Sequence, residues 1–307
     1  MEGLVLKYHS GFYHVWHEGD RTVCKIRGKL KKTSKNTDII AVGDRVDFQI
    51  LPDGSGIIEA VLPRTNELNR MTSGVRFEYR QVLIANMDQV LLVFACIRPE
   101  PRLRMLDRFL VVCEKQQIHP VIVVNKVDLL GLEQAREIFR DYEPLGYQVV
   151  YTSADNGEGI ETIRDLLKNR ISGLIGPSGV GKSSIINRID PNLDLRTNEI
   201  SDYNEKGRHT TVVREMFPLK DGGFVADLPG LKTLALWDIE PEELDGYFPE
   251  LRDLVKDCYY SDCTHDETEV GCAVHKAVAE GRVSRARYES YLRIRFGSEE
   301  ELNENEK

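Results

Sequence analysis

The pattern of hydrophobic and polar positions changes twice along the chain. Up to about residue 68, apolar and polar residues alternate over short stretches separated by turn residues. These stretches are 12–16, 22–27, 42–48 and 57–61. Alternation with a period of two is typical of half-buried strands. Several short strands with no helical period predict a small five-stranded barrel of the oligonucleotide-binding (OB-fold) kind over residues 1–68.

From about residue 80 the apolar residues form continuous runs. Runs typical of strands buried on both faces lie at 89–95, 120–124, 147–151 and 171–175. Helical periodicity separates them at 106–113, 132–142 and 158–169. Strands that alternate with helices predict a parallel sheet covered on both faces, and we assign this α/β domain to residues 69–233. The chain then turns helical and acidic, so a mostly α domain is expected over 234–307, with a last helix at 276–296.

The composition is that of an ordinary folded protein. Of 307 residues, 41% are hydrophobic and 30% are charged, which excludes a wholly disordered or collagen-like chain. No apolar run approaches the roughly 18 residues of a membrane-spanning helix. The first residues lack the basic segment and long apolar core of a secretory signal. We therefore expect a cytoplasmic protein with no membrane partner.

One segment between the strand at 171–175 and a predicted helix fits the phosphate-loop pattern G-x-x-x-x-G-K-S. It comprises Gly176, Pro177, Ser178, Gly179, Val180, Gly181, Lys182 and Ser183, and Ser184 continues the helix. The glycines let backbone N–H groups close around an anion, and the helix N-terminus adds its dipole. Lys182 is expected to reach the β- and γ-phosphates of a nucleotide, and the Ser183 hydroxyl to ligate Mg²⁺. A chance glycine-rich turn is the alternative, which the flanking strand and helix disfavour.

Two loops upstream indicate that the base is guanine. The base-reading motif N-K-x-D of guanine-specific GTPases is matched by Asn125, Lys126, Val127 and Asp128, directly after the strand at 120–124. In this motif the Asp accepts hydrogen bonds from guanine N1 and N2, while the Asn and Lys support the ring and the loop. Alone, the motif also fits an ordinary strand-to-helix turn. Ser153 and Ala154, after the strand at 147–151, add a second base loop, in which the Ala154 backbone is expected to face guanine O6.

The remaining nucleotide motifs follow the phosphate loop. Residues 227–230 fit D-x-x-G, in which Asp227 is expected to hold Mg²⁺ through water and the Gly230 amide to sense the γ-phosphate. Thr210, within 207–211, is the candidate switch threonine. Most GTPases carry the phosphate loop first and the base loops last, whereas here the base loops come first. The order predicts a circularly permuted GTPase domain that binds GTP or GDP with Mg²⁺, and α/β domains with neighbouring termini tolerate such permutation.

The residue that orients the attacking water differs from the usual glutamine. Ras-like enzymes place a Gln just after D-x-x-G, and this chain has Leu231 there, which cannot polarise water. His209, in the switch region, is the nearest candidate. A structural or RNA-facing histidine is the alternative. Lys182, Thr210 and Gly230 complete the predicted catalytic set.

Three of the six cysteines fall within fifteen positions, close to a histidine. Cys258, Cys263, His265 and Cys272 supply three thiolates and one imidazole, enough for a closed tetrahedral Zn²⁺ site. A closed site has no open position for a catalytic water, so we expect one structural zinc per chain. Three buried free thiols are the alternative, and His275 is an alternative ligand.

A barrel, a permuted GTPase and a Cys/His cluster, in this order, closely resemble the bacterial ribosome small-subunit-dependent GTPase A family. The segments 85–90, 207–211 and 271–274 are also similar to its sequences. The resemblance implies a late assembly factor that binds the 30S subunit near the decoding region and leaves after GTP hydrolysis, which the subunit stimulates. It also points to His209 as the catalytic histidine. A regulatory GTP switch acting on another protein or on tRNA, and an RNA-binding module with a vestigial nucleotide site, are the alternatives.

The charge distribution bears on the RNA partner. The net charge of −9 counts against a nucleic-acid binder when the chain is taken as a whole, and residues 297–307 form an acidic tail that is expected to hang free. Two local clusters are basic. They comprise Lys25, Arg27, Lys29, Lys31, Lys32 and Lys35, and then Arg282, Arg285, Arg287, Arg293 and Arg295, opposed only by Glu289. We expect both clusters to contact 16S rRNA phosphates as part of a monomer, although solvated strand and helix faces are an alternative. Tyr259 and Tyr260 are expected either to stack on bases or to pack around the zinc loop.

Overall fold

The structure is a computed structural model of the whole chain. It describes residues 1–28, 30, 37–72, 79–193, 195, 215–227 and 239–297. None of the helices in these ranges is long and apolar enough to cross a membrane.

The N-terminal strands close into a barrel. The strands are β1 (Glu2–His9), β2 (Phe12–His17), β3 (Asp20–Ile26), β4 (Arg45–Ile50) and β5 (Gly56–Val61), in the spatial order β1-β2-β3-β5-β4. Pairing of β1 with β4 closes the barrel, and β3 and β5 are the parallel pair. Val5, Val15 and Phe48 fill its interior. The predicted five-stranded barrel is therefore confirmed.

Strand β1 is buried on both of its faces. Val5 points into the barrel core, whereas Leu4 and Leu6 belong to the core of the central domain. This explains why the first strand lacks the alternation seen in the other barrel strands. The barrel therefore packs firmly on the domain that follows it.

A two-stranded ribbon joins the barrel to the central sheet. It consists of β6 (Glu67–Thr72) and β7 (Tyr79–Ala85), which pair antiparallel, and the sequence patterns did not predict it. Asn86, at the end of the ribbon, donates from Nδ2 to the Gly43 carbonyl of the barrel at 3.0 Å. Its Oδ1 accepts from the Thr65 amide at 2.8 Å, so one side chain fastens the junction.

The central domain contains a six-stranded sheet. Its strands are β8 (Gln89–Ala95), β9 (His119–Asn125), β10 (Gln148–Tyr151), β11 (Ile171–Ile175), β12 (Met216–Pro218) and β13 (Phe224–Asp227). The spatial order is β10-β9-β8-β11-β13-β12, and all neighbours are parallel except β12 and β13. The parallel sheet predicted from the continuous apolar runs is confirmed, since every residue of β8 is buried.

Helices cover both faces of this sheet. They are α1 (Leu103–Gln116), α2 (Val127–Leu130), α3 (Leu132–Ile138), α4 (Ile160–Leu167) and α5 (Lys182–Ile189). Phe94 packs on α1 through Phe109 on one face, and Val93 lies in the core with α4 and α5 on the other. The helix predicted over 132–142 ends at Ile138, so its prediction was too long.

The C-terminal region consists of several short helices. A 3₁₀ helix (Pro241–Tyr247) precedes α6 (Pro249–Arg252), α7 (Ala273–Ala279) and α8 (Arg285–Phe296). The prediction of one helix over 276–296 was wrong, because Gly281 has a φ of 71° and Ser284 is extended, which interrupts the helix between α7 and α8. Phe248 and Tyr291 meet edge to face in the core of this region.

Candidate functional site

The predicted nucleotide motifs meet at one edge of the central sheet. The phosphate loop follows β11, the N-K-x-D segment begins at the end of β9, and the Ser153–Ala154 loop follows β10. The chain runs from β8 outward to β10 and then returns to the other side of β8 as β11. Ligands bind parallel sheets at such a reversal, outside the carboxyl ends of the strands. The topology therefore places the motifs where a nucleotide binds.

The phosphate loop has a backbone that only glycine permits. Gly176, Gly179 and Gly181 have φ values of 157°, 78° and 99°. A Cβ on Gly176 would lie 2.0 Å from the Val93 carbonyl oxygen, and one on Gly181 would lie 2.2 Å from Asn125 Nδ2. The loop therefore keeps its shape through close backbone approaches, as an anion-binding loop must.

Lys182 and Ser183 open α5 directly after the loop. The Lys182 ammonium donates to the carbonyl oxygens of Gly176 at 2.8 Å and Pro177 at 2.9 Å. The Lys182 side chain thus lies over the phosphate loop, where it is predicted to bind nucleotide phosphates. Ser183 and Ser184 occupy the first turn of the helix, where backbone N–H groups point outward.

Asn125 joins three loops through one buried side chain. Its Nδ2 donates to the Val180 carbonyl of the phosphate loop at 2.8 Å. Its Oδ1 accepts from the Ala154 amide at 3.1 Å and from the Thr152 hydroxyl at 3.2 Å. Only 1% of Asn125 is exposed, so few waters can replace these bonds. These hydrogen bonds consequently hold the base loops and the phosphate loop together.

Lys126 fastens the same assembly from outside. Its ammonium donates to the Gly179 carbonyl at 2.6 Å and also to the Arg98 carbonyl. The Cys96 thiol donates to the Lys126 carbonyl at 3.2 Å, and Lys126 itself has a φ of 68°. Partial burial lowers the pKa of Lys126. The contribution of the turn after β8 was not predictable from the sequence, because Cys96 and Arg98 belong to no motif.

The other residues predicted to contact the base lie in α2 and in the loop after β10. Val127 is buried and donates its amide to the Thr152 carbonyl at 3.2 Å, which orients the start of α2. Asp128 lies exposed in the first turn of α2, so its carboxylate is available to a ligand. Ser153 is buried, and its hydroxyl accepts from the Asn156 amide at 3.2 Å, which shapes the loop that presents Ala154.

The structure describes only part of the region that is predicted to bind the γ-phosphate. Asp227 ends β13, and its backbone pairs with Leu174, one residue before the end of β11 and two before the phosphate loop. Four residues of the predicted site lie outside the described part of the chain: His209, Thr210, Gly230 and Leu231. Their predicted roles therefore stay predictions.

Glu215 links the central domain to the barrel, which the sequence did not suggest. It precedes β12, and its carboxylate accepts from the Lys7 ammonium and, at 2.8 Å, from the Arg21 guanidinium. Burial alone raises the pKa of Glu215, but these hydrogen bonds outweigh it and hold the pKa below its usual range. Because 207–211 carries the predicted switch threonine, this ion pair lies a few residues from that segment in sequence.

The four predicted metal ligands come together. The ligand atoms of Cys258, Cys263, His265 and Cys272 all lie within 4.8 Å of one another. His265 Nδ1 is 3.6 Å from the Cys258 sulfur and 3.5 Å from the Cys272 sulfur. Burial raises the pKa of the Cys263 thiol to about 12 and raises that of Cys272 as well. Such thiols stay protonated without a cation, and a bound metal ion would hold them as thiolates.

Neighbouring groups orient this cluster. His265 Nε2 lies 3.3 Å from an Asp245 carboxylate oxygen, the usual partner of a metal-binding imidazole. His275, the alternative ligand, instead lies 3.2 Å from the His265 carbonyl and 3.0 Å from the Tyr288 hydroxyl. The arrangement fits a metal bound by three cysteines and His265, with His275 as a support.

One member of the second basic cluster, Arg287, is buried, which corrects its prediction as a surface residue. Arg287 is only 3% exposed, and its guanidinium donates to Asp107 of α1 and, at 2.7 Å, to Glu250. Arg282 and Arg285 pair with glutamates at 2.9 and 3.2 Å. Arg282, Arg285 and Arg293 are exposed, so their predicted contact with rRNA stays a prediction, whereas the acidic partners of Arg287 lie far away in the sequence.

The first basic cluster is described only at its start. Lys25 lies over the Phe12 ring, and Arg27 pairs with Glu59. The four lysines that follow lie outside the described residues: Lys29, Lys31, Lys32 and Lys35.

Two family models match most of the chain. The model described as RsgA N-terminal domain matches residues 2–58, and the model described as RsgA GTPase matches residues 61–237. Curated relatives align over nearly the whole length. The small ribosomal subunit biogenesis GTPase RsgA of Gemmatimonas aurantiaca is 46% identical, with 95% of this chain and 96% of the relative covered. The protein of the same name from Bacteroides fragilis strain YCH46 is 39% identical, with 98% of each covered.

Solved structures agree with these matches. The crystal structure of YjeQ from Thermotoga maritima superposes with a TM-score of 0.79 at 39% identity, covering 97% of this chain and 99% of that one. The structure of YloQ, described as a circularly permuted GTPase, gives a TM-score of 0.74 at 32% identity, covering 99% of this chain and 95% of that one. The predicted circular permutation is confirmed. With its preassembled nucleotide loops and these matches, the chain belongs to the RsgA family of circularly permuted GTPases.

Proposed function

We propose that this GTPase acts late in the assembly of the small ribosomal subunit and hydrolyses GTP when it is docked on the 30S particle. One observation carries the GTP-binding part of the proposal: the buried Asn125 and the outer Lys126 tie the base loops to the phosphate loop. Relatives that align over 95% of the chain are named as small ribosomal subunit biogenesis GTPases, which supports the choice of partner.

The phosphate loop and its surroundings would hold GTP with Mg²⁺. Lys182, released from the loop carbonyls, would bind the β- and γ-phosphates. Ser183 and Asp227 would hold Mg²⁺, Asp227 through water, and the metal would neutralise charge that develops on the phosphates. Asp128 would accept from guanine N1 and N2, and the Ala154 amide, which donates to Asn125 Oδ1, would share its hydrogen with guanine O6.

The hydrolytic water would be positioned by the switch segment. His209 is the proposed positioning group, because Leu231 occupies the place of the usual glutamine and has no polar atom to offer. Thr210 and the Gly230 amide would respond to the γ-phosphate. Slow turnover without the subunit follows if these groups are aligned only on the particle.

The C-terminal cluster would bind one structural zinc ion. Three thiols and one imidazole are a donor set that Zn²⁺ favours, and four protein ligands leave no position for a reacting water. Zinc would therefore supply folding energy to this region and take no part in hydrolysis.

The three domains would make different contacts with the 30S particle. We propose that the barrel spans residues 1–68, the GTPase domain 69–233 and the zinc-binding domain 234–307. The barrel would contact 16S rRNA through its basic residues, since small barrels of this kind bind nucleic acid through one face and its loops. We further propose that the protein acts as a cytoplasmic monomer without a membrane partner.

Co-sedimentation tests the choice of partner. The protein, loaded with a non-hydrolysable GTP analogue, should pellet with purified 30S subunits and should remain in solution with 50S subunits. The GDP-bound protein should pellet less. Tight GTP binding with no 30S pelleting would instead favour a regulatory switch with another partner.

A further inference from the structure

The loop that carries the metal-binding cysteines presents an unusual surface. Among the described residues, Tyr259 and Val270 are the most exposed large hydrophobic side chains, each 78% exposed, and Tyr260 is 51% exposed. The two tyrosine rings meet edge-on with centroids 4.8 Å apart. We call Tyr259, Tyr260 and Val270 the aromatic tip. Clusters of exposed apolar groups of this kind mark interaction sites.

The aromatic tip is held in place by its own loop. Tyr259 donates its amide to the Gly271 carbonyl at 3.1 Å. Gly271 has a φ of 73°, and a Cβ there would lie 2.8 Å from the Tyr259 Cβ, so the tyrosine rests directly on the glycine. Cys258 and Cys272 of the metal cluster flank these residues. A tyrosine presented on a braced loop loses little conformational entropy on binding.

The residues around the aromatic tip are mostly acidic, which favours a cationic ligand over an anionic one. From Asp253 to Val270 six carboxylates accompany a single lysine, Lys256, and one of the six, Glu267, pairs with Arg285 at 3.7 Å. Within the part of the chain that the structure describes, Asp253, Asp257 and Asp262 make no ion pair. Phosphate groups would be repelled here, whereas a cationic chain would be attracted. The surroundings therefore disfavour stacking of Tyr259 and Tyr260 on RNA bases.

We propose that the aromatic tip docks a lysine- and arginine-rich protein segment of the small subunit, while the barrel faces its RNA. The inference rests on the proposed function and adds the chemistry of a second contact. The six cations between Lys25 and Lys35 suit phosphate, and the acidic tip suits the opposite partner. A ribonucleoprotein particle offers both kinds of surface, which a bare RNA or a simple protein partner does not.

Two variants of the full-length, zinc-loaded protein test this proposal by titration with 30S subunits. The double change Tyr259→Ala with Tyr260→Ala should weaken 30S affinity at least about tenfold, as for aromatic groups at the centre of an interface. The double change Asp257→Lys with Asp262→Lys should weaken it several-fold, because it repels a cationic segment. Both variants should keep their zinc and their GTP affinity.

The matched control has the same charge change elsewhere. Glu133→Lys with Glu137→Lys alters two exposed carboxylates of α3 and should leave 30S affinity unchanged. If Asp257→Lys with Asp262→Lys tightens binding, the tip faces RNA and the proposal is overturned. If wild type binds 30S and both tip variants bind equally well, the tip makes no contact, and the proposed function stands without it. If wild type does not bind, the proposed function itself fails.

A cross-linking experiment identifies the class of partner directly. With p-benzoylphenylalanine in place of Tyr259, irradiation on 30S subunits should join the protein to a ribosomal protein. A cross-link to 16S rRNA would overturn the proposal.

Discussion

Replacement of Asn125 by alanine should sharply weaken guanine-nucleotide binding. The buried Asn125 side chain makes three hydrogen bonds that unite the phosphate loop with both base loops. Each buried hydrogen bond contributes about 0.5–1.5 kcal/mol net, and partners left unsatisfied add to the loss, so about 2–4 kcal/mol is expected. At 1.4 kcal/mol per tenfold, the affinity should fall about 30- to 700-fold. GTP and GDP should be affected alike, because the lost bonds position loops that serve both.

Calorimetric titration with GTP and GDP measures this effect. Asn156→Ala is the matched control, since the exposed Asn156 side chain accepts from the Glu158 amide at 2.9 Å within its own loop and does not join the loops to one another in the described part of the chain. That variant should bind within a few-fold of wild type, and both variants should keep their zinc. An Asn125→Ala protein that is folded and binds GTP within threefold of wild type would refute the idea that these bonds preassemble the site.

Four further outcomes are expected. Asp128→Asn should relax the preference for GTP over ATP in competition binding; an unchanged preference would exclude Asp128 as the base reader. Arg287→Ala should destabilise the protein by about 3–5 kcal/mol in urea unfolding, because it leaves buried carboxylates unpaired, whereas a loss under 1 kcal/mol would contradict this. The Glu215 ion pairs should hold the barrel at neutral pH and be lost as the pH falls through a pKa below that of ordinary glutamate. Glu215→Gln should therefore reduce the acid sensitivity of barrel docking in hydrogen exchange; an identical pH profile would refute the assignment. Cys263→Ser should lower the zinc content and leave GTP affinity intact; full zinc retention would remove Cys263 from the ligand set.

Local sequence patterns were sufficient for the elements that carry the nucleotide loops. The apolar run at 89–95 coincides with β8, because a strand buried on both faces has no polar positions. The phosphate loop and the N-K-x-D segment could be located because their chemistry needs fixed spacings. The metal ligands were predicted from spacing and donor type, and the structure gathers all four.

Contacts between distant segments could not be predicted in this way. The sequence pattern predicts Arg287 as one of several surface arginines, yet it is buried against Asp107, which lies 180 positions earlier in the sequence. The Lys126 ammonium donates to the backbone carbonyl of Arg98. A contact to a backbone carbonyl leaves no side-chain pattern in the sequence. Strand β1 lacks alternation because a second domain covers its outer face, which a local pattern does not reveal. In each case tertiary packing supplied the missing information.

Activation of this GTPase by the small subunit can be measured as a change in its rate of GTP turnover. We would measure GTP turnover by the purified protein, alone and with stoichiometric 30S subunits, at several salt concentrations, with Lys182→Ala as the inactive control. We expect slow turnover by the protein alone, a large stimulation by 30S subunits, and loss of that stimulation as salt screens the docking charges. Slow turnover that is indifferent to 30S subunits, despite tight GTP binding, would contradict it.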